Sequence, residues 1–121
     1  MEEVSAADQL ESIKSWQSTI KKLENAFAQM TQKGTNITLV KKRLNASHIG
    51  LAVLENAWSQ KPHLYSHEDI TEAGKILSGL VSSVEHSYAK SKAGSPQQTL
   101  LERRLKALNL AVQAIDGLSA K

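Results

Sequence analysis

The chain has 121 residues, of which 40% are apolar and two are proline, so its composition is that of one globular domain and not of a disordered segment. It contains no cysteine, which excludes a disulfide scaffold and thiolate chemistry. The formal net charge of +3 is far weaker than that of a dedicated nucleic-acid-binding tail. Residues 1–5 are polar and acidic, unlike a signal peptide, and no stretch approaches the roughly 18 apolar residues of a membrane helix. We therefore expect a soluble, cytoplasmic protein with no membrane partner.

The first predicted helix covers about residues 6–32. Ser5 and Asp8 have the spacing of a capping box at its start, and Gly34 supplies a residue that tolerates the left-handed conformation at its end. Its apolar residues follow one another at spacings of three and four, which is typical of a helix packed against other helices. These residues are Ile13, Trp16, Ile20, Leu23, Phe27 and Met30.

The second predicted helix covers about residues 36–59 and ends shortly before Pro62, because proline disfavours the helical conformation of the residue before it. Its apolar residues are Ile37, Val40, Leu44, Leu51, Leu54 and Trp58. Ser47 lies on this apolar face and His48 lies beside it. We expect His48 to be a partly buried structural histidine.

The third predicted helix begins after Ser66, which forms a second capping box with Asp69, and it ends before Gly94. Its apolar residues are Ile70, Ala73, Leu77, Val81, Val84 and Tyr88. Ser95 and Pro96 start the fourth helix as N-cap and first helical residue. The apolar residues of the fourth helix are Leu101, Leu105, Leu108, Val112 and Ile115. The chain is therefore predicted to be a single all-α domain, residues 1–121, folded as an antiparallel four-helix bundle.

The two halves of the chain align without a gap when one is shifted by 61 residues, which predicts two tandem helical hairpins over about residues 5–60 and 66–121. The identical pairs include Ser5/Ser66, Asp8/Asp69, Glu24/Glu85, Arg43/Arg104, Leu44/Leu105 and Ala46/Ala107. A heptad pattern shared by any two amphipathic hairpins would explain the apolar matches, but it explains the polar matches less easily. Folding each hairpin at its glycine further predicts ion pairs between Glu24 and Arg43 and between Glu85 and Arg104.

Catalytic, metal-binding and cofactor-binding signatures are missing from the sequence, so we expect no enzyme activity, no metal and no cofactor. His63 and His67 stand four residues apart beside two carboxylates, but this pattern indicates a solvated loop more often than a metal site. Glycines 50, 74, 79 and 117 fall inside or near the ends of helical patterns, where we expect them to allow close helix packing.

Charge is distributed unevenly in the predicted bundle. Both hairpin tips, at Gly34 and Gly94, point the same way, which predicts a basic pole at the tips and an acidic pole at the opposite end. The basic residues that could bind an anion or a partner are Lys33, Lys41, Lys42, Arg43, Lys92, Arg103 and Arg104. Several of them lie at helix N-termini, against the preference of the helix dipole. A docked anion would explain this placement, although an ordinary solvated basic face is the more frequent cause.

These observations favour a small, non-enzymatic protein-interaction or regulatory protein, with another protein as its partner. The alternative is nucleic-acid or polyanion binding through the basic pole, which would weaken steeply with salt. Two further hypotheses are self-association through the opposite poles and a ligand site inside the bundle near Ser47 and His48.

Overall fold

A computed structural model describes residues 4–119, and within that range it contains four α-helices and no β-strand. The helices are α1 (Ala6–Lys33), α2 (Thr38–Ser59), α3 (His67–Lys90) and α4 (Pro96–Ser119). The four predicted helices are confirmed: α1 and α2 have boundaries within two residues of those expected, and α3 and α4 begin where the sequence predicts. Residues 1–3, which belong to the acidic start used above to argue against a signal peptide, lie outside the described range, as do residues 120 and 121.

The helix ends follow from local hydrogen bonding. Ser66 and Asp69 form the complete capping box, in which Ser66 Oγ accepts from the Asp69 amide at 3.1 Å and Asp69 Oδ2 accepts from the Ser66 amide at 3.4 Å. At α1 only half of the predicted box forms, with Ser5 Oγ accepting from the Asp8 amide at 3.2 Å. Gly34 ends α1 at a φ of 74°, a left-handed conformation that glycine adopts without steric cost.

Helices α2 and α4 form the centre of the packing. Each of them contacts the other three helices, whereas α1 and α3 do not contact one another, and these contacts are consistent with a bundle. Gly50 permits the closest approach: a Cβ atom built there would lie 2.9 Å from Leu77 Cδ1 and 3.5 Å from Ala111 Cβ. Gly74 is similar, because its Cβ would lie 2.9 Å from Ile115 Cγ2.

Close packing was thus correctly predicted for glycines 50 and 74. It was wrong for Gly79 and Gly117, because a Cβ atom at either position would meet nothing within 4 Å. A glycine that faces solvent in a helix looks the same in the sequence as one that faces a neighbouring helix.

The core is built from a few large side chains and several alanines. Trp16, Ile49, Leu54, Leu77 and Ile115 are among its largest fully buried members. The Trp16 indole also donates its Nε1–H to the Ala107 carbonyl at 3.2 Å, so its polar atom is satisfied within the core.

Ser47 and His48 occupy opposite environments. Ser47 is fully buried and donates its hydroxyl to the Arg43 carbonyl at 2.7 Å, whereas His48 is exposed. The predicted burial of His48 is therefore wrong. Neighbouring residues of a helix are rotated by about 100°, so Ser47 can face the core while His48 faces away from it.

Residues 17–45, which we call the arm, lie outside this core. None of them belongs to the main buried cluster or packs against it, whereas α3 contributes Leu80, Val81 and Val84 to its margin. Within the arm only Ile20 and Val40 are buried. The apolar residues of the arm that the sequence predicts as core are instead half-buried: Leu23, Phe27, Met30, Ile37 and Leu44. The apolar side chains of the arm are therefore covered less completely than those of the main core.

Candidate functional site

The arm carries a larger net positive charge than the whole chain does. It contains six lysine or arginine residues and one glutamate, a formal charge of +5, whereas the whole chain carries +3. The cations are Lys21, Lys22, Lys33, Lys41, Lys42 and Arg43. None of them lies within 4.0 Å of a carboxylate among residues 4–119. The positive charge of the arm is therefore not neutralised by ion pairs from the rest of the described chain.

The residues predicted for the basic pole do not share one environment. Lys33, Lys41 and Lys42 are exposed on the arm, Arg43 is half-buried there, and Lys92 is exposed in the connection between α3 and α4. The two arginines of α4 lie elsewhere and are described next.

Arg103 and Lys106 of α4 form ion pairs with carboxylates in the first turns of α1. Arg103 Nε lies 3.7 Å from Glu11 Oε1, and Lys106 Nζ lies 3.0 Å from Asp8 Oδ1. The hydrogen bond from Lys106 lowers the pKa of Asp8 below its ordinary value. Asp8 and Glu11 were predicted for the acidic pole, so the expected separation of acidic from basic residues fails where α1 and α4 meet.

Arg104 is the opposite case, a cation without a partner. Its Nε and Nη2 atoms are buried and donate a hydrogen bond to no acceptor among residues 4–119. Burial lowers the pKa of its guanidinium. The ion pair predicted between Arg104 and Glu85 does not form, nor does the one between Arg43 and Glu24, since the described ion pairs join other residues.

A cleft of about 440 Å³ opens between the α1 and α2 segments of the arm. Its walls are mostly apolar, with Phe27 on α1 facing Leu44 on α2. Lys41, Lys42, Asn45 and His48 complete the lining. Half-buried apolar side chains beside unpaired lysines make this depression a candidate binding surface. We call this depression the arm cleft.

A second depression adjoins the arm cleft at His48, which lines both. It lies between α2 and the connection to α3 and is lined by His48, Leu51, Ala52, Glu55, Lys61, Pro62, His63, Leu64 and Tyr65. Glu55 is paired with Lys61 at 3.4 Å, and Leu64 is fully exposed. We call this depression the linker cleft. Together the two clefts follow one side of α2.

The arm cleft was not anticipated from the sequence. The regular spacing of Phe27 and Leu44 predicted burial in the core, because periodicity shows which residues share a helical face but not what covers that face. The one available signal was the excess of six cations over one carboxylate in residues 17–45, which is unusual for a segment that packs on all sides.

Acid–base chemistry would require ionisable side chains in a depression, and metal binding would require a group of metal ligands among the described residues. Among them, no group of three or more His, Cys, Asp or Glu side chains is placed to hold a metal ion. His63 instead accepts a hydrogen bond from the Tyr65 amide at 3.3 Å, with the two rings 5.9 Å apart between centroids. A depression of about 410 Å³ between the ends of α2 and α4 has no ionisable side chain among its described lining residues.

Comparison with known proteins identifies no relative. No protein-family model matches the sequence, and no curated protein or solved structure matches it either. Among residues 4–119, no helix has the length and hydropathy required to cross a bilayer.

Proposed function

We propose that the protein is a non-enzymatic interaction module that binds another protein through the arm cleft. The observation that supports this proposal is the pairing of Phe27 and Leu44 as half-buried walls beside Lys41 and Lys42. Covering the apolar walls would remove hydrocarbon from water, at about 25 cal/mol per Å². The lysines at the margin would orient an incoming partner and accelerate its association.

We infer that the scaffold is a tandem repeat of two antiparallel helical hairpins. Burial supports this reading, because positions 61 residues apart are buried together. The pairs are Val40/Leu101, Ala46/Ala107, Ser47/Leu108, Gly50/Ala111, Val53/Ala114 and Leu54/Ile115. Trp16 and Leu77, which are also 61 apart, both approach Gly50, as expected near a pseudo-twofold axis.

If the two hairpins are repeats, a structural difference between their tips points to a difference in role. The tip of the second hairpin contributes Leu80, Val81 and Val84 to the margin of the core, while the equivalent part of the first hairpin contributes nothing. The second hairpin tip therefore contacts the main core through three side chains of α3, although Tyr88 and Leu105, the counterparts of Phe27 and Leu44, are half-buried as well. In this proposal the second hairpin stabilises the domain and the first presents the binding surface.

Nucleic-acid or polyanion binding is the second candidate, and the +5 charge of the arm favours it. Its weakness is that Phe27 is the one aromatic residue of the arm, whereas single-strand binding surfaces stack bases on several aromatic rings. The apolar walls of the arm cleft would also remain uncovered by a phosphate backbone.

The test is affinity capture from lysate of the source cells after nuclease treatment, so that nucleic acid cannot bridge proteins. Wild-type protein is compared with Leu44→Ser, which opens the wall of the arm cleft, and with Leu10→Ser as a matched control. Leu10 is 56% exposed and lines a different depression, against α4. A partner retained by wild type and Leu10→Ser but lost by Leu44→Ser supports the proposal. Absence of any partner that depends on Leu44 overturns it.

The polyanion alternative has its own measurement. Labelled RNA and DNA are titrated with wild type and with Lys41→Gln/Lys42→Gln, at low and near-physiological salt, and fluorescence anisotropy is followed. Salt-sensitive binding that the double variant loses favours the alternative. Absence of binding even at low salt excludes it.

A further inference from the structure

We propose that the partner presents an acidic, amphipathic helix, which lies lengthwise along the exposed side of α2 and fills the arm cleft and the linker cleft together. This inference rests on the proposed protein-binding function and adds the chemistry of the partner. It follows from the shape of the two clefts, from the placement of their apolar residues and from their charge.

The shape is that of a groove one helix long. The α2 residues that line the two clefts recur at spacings of three and four, so they occupy one side of the helix. They are Lys41, Leu44, Asn45, His48, Leu51, Ala52 and Glu55, with Lys42 next to Lys41. At 1.5 Å per residue this side of α2 is about 21 Å long, which matches about four turns of a partner helix. Because His48 lines both clefts, the two depressions are adjacent along α2.

The apolar side chains stand at both ends of this groove. Phe27 and Leu44 form the walls at the arm end, and Leu64 stands at the linker end. Leu51 and Tyr65, which also pack against the main core, expose only part of their side chains between these ends. Leu64 has a relative exposure of 103%, which leaves its whole side chain available to a ligand. A helix bound in a groove contacts it through its own apolar residues at i, i+3, i+4 and i+7. Apolar side chains at both ends of the groove would contact the two ends of that apolar face.

The charge of the groove selects an acidic partner. Lys41 and Lys42 are unpaired within the described chain, and Lys61 is paired with Glu55, the one carboxylate in the lining of the two clefts. Four further cations lie on the arm, accompanied by the single carboxylate of Glu24. A partner helix with carboxylates flanking its apolar face would be attracted to this groove, while a basic helix of the same shape would be repelled.

Other anionic occupants fit these features less well. The phosphates of a nucleic acid would contact the lysines but would leave the apolar walls of the arm cleft exposed to water. An anionic bilayer would require apolar side chains that project from a helix face, whereas Phe27 and Leu44 form the two sides of a concave cleft. An amphipathic acidic helix satisfies both the walls and the lysines.

The experiment uses three labelled synthetic peptides of 18 residues, titrated against the full-length protein at near-physiological salt. The first has a leucine face at i, i+3, i+4 and i+7 with glutamates beside it. The second carries lysine in place of every glutamate. The third keeps the composition of the first in a scrambled order that has no apolar face. We expect only the first peptide to bind with measurable affinity.

The variants distinguish the contribution of the groove to peptide affinity from the contribution of the net charge of the protein. Lys41→Glu/Lys42→Glu is expected to weaken binding of the acidic peptide by about tenfold or more, a change of about 1.4 kcal/mol. Lys14→Glu/Lys75→Glu changes the net charge equally at exposed helical positions that line other depressions, and it should leave affinity within about twofold. Leu44→Ser and Leu64→Ser test the two apolar ends, and circular dichroism verifies that each variant is folded. If Lys41→Glu/Lys42→Glu is unfolded, Lys41→Gln/Lys42→Gln replaces it with a smaller expected loss.

The outcomes distinguish this inference from the proposed function. If a cellular partner depends on Leu44 but the acidic peptide does not bind, or the basic and scrambled peptides bind equally well, the acidic-helix inference is overturned and the protein-binding function stands. If no cellular partner depends on Leu44, both fail. RNA, or vesicles containing phosphatidylserine, that bind through Lys41 and Lys42 in the absence of peptide binding would also overturn the inference.

Discussion

Trp16 donates its indole Nε1–H to the carbonyl oxygen of Ala107 at 3.2 Å, across 91 positions of the chain. The bond joins α1 to α4 in the most buried part of the protein, where Trp16 is 1% exposed. A buried indole N–H without a partner would be destabilising, so this contact fixes where the ring can lie. Trp16 therefore attaches the beginning of the first hairpin to the core, ahead of the arm.

Trp16→Phe should lower the free energy of unfolding by about 1–3 kcal/mol, because it removes a buried hydrogen bond and leaves part of the indole volume empty. Urea denaturation followed by far-UV circular dichroism measures the change without relying on tryptophan fluorescence. Trp58→Phe is the control, since Trp58 is only half-buried and should be less sensitive. An equal loss in both variants would contradict the special position of Trp16.

Gly50→Ala and Gly79→Ala should shift stability in opposite directions. A Cβ at position 50 would lie 2.9 Å from Leu77 Cδ1 in a filled core, so we expect a loss of about 1–3 kcal/mol from overpacking. At position 79 the added methyl group meets nothing within 4 Å, and alanine should stabilise the helix by about 0.5–1 kcal/mol. The midpoints of thermal unfolding, compared in one buffer, test both expectations. A stabilising Gly50→Ala would show that α2 has room that the structure does not indicate.

The helices were predictable from the sequence because their signals are local. Capping residues such as Ser66 and terminating glycines such as Gly34 act through bonds to residues three to five positions away. The failures concern contacts between helices. Apolar spacing at Phe27 and Leu44 predicted a buried face but could not show that no helix covers it.

The predicted ion pairs failed for a related reason. Placing Glu85 level with Arg104 assumes that each hairpin pairs internally, but register alone does not show which side of a helix a residue occupies. In the structure, Arg103 and Lys106, on either side of Arg104, reach α1 instead. The sequence indicated the positive charge of the arm, but not the geometry of the arm cleft, and a binding role for Lys41 and Lys42 stays a prediction.

Arg104→Met should raise the free energy of unfolding. The buried Nε and Nη2 atoms of Arg104 find no partner within residues 4–119, and an unsatisfied buried polar group costs about 1–3 kcal/mol, with more for a charged one. Methionine keeps much of the side-chain volume and removes that cost. Arg103→Met serves as the control, because it breaks only an exposed ion pair with Glu11 and should lower stability by about 0–1 kcal/mol. Chemical denaturation of both variants gives the comparison, and a marked loss in Arg104→Met would mean that the guanidinium has a partner in solution.

Tyr88 should titrate above its ordinary pKa of 10.0, because its hydroxyl donates to Glu102 Oε1 at 3.0 Å and the nearby negative charge disfavours the phenolate. The pKa of the folded state is raised, so any stabilising contribution is complete below pH 10 and is lost as the pH rises through the folded value. Ultraviolet titration in a Tyr65→Phe background makes Tyr88 the sole tyrosine, since the chain contains two. Adding Glu102→Gln removes the negative charge and should return the pKa toward 10.0. If the titration curve is the same with and without Glu102→Gln, the contact between α3 and α4 at this position does not persist in solution.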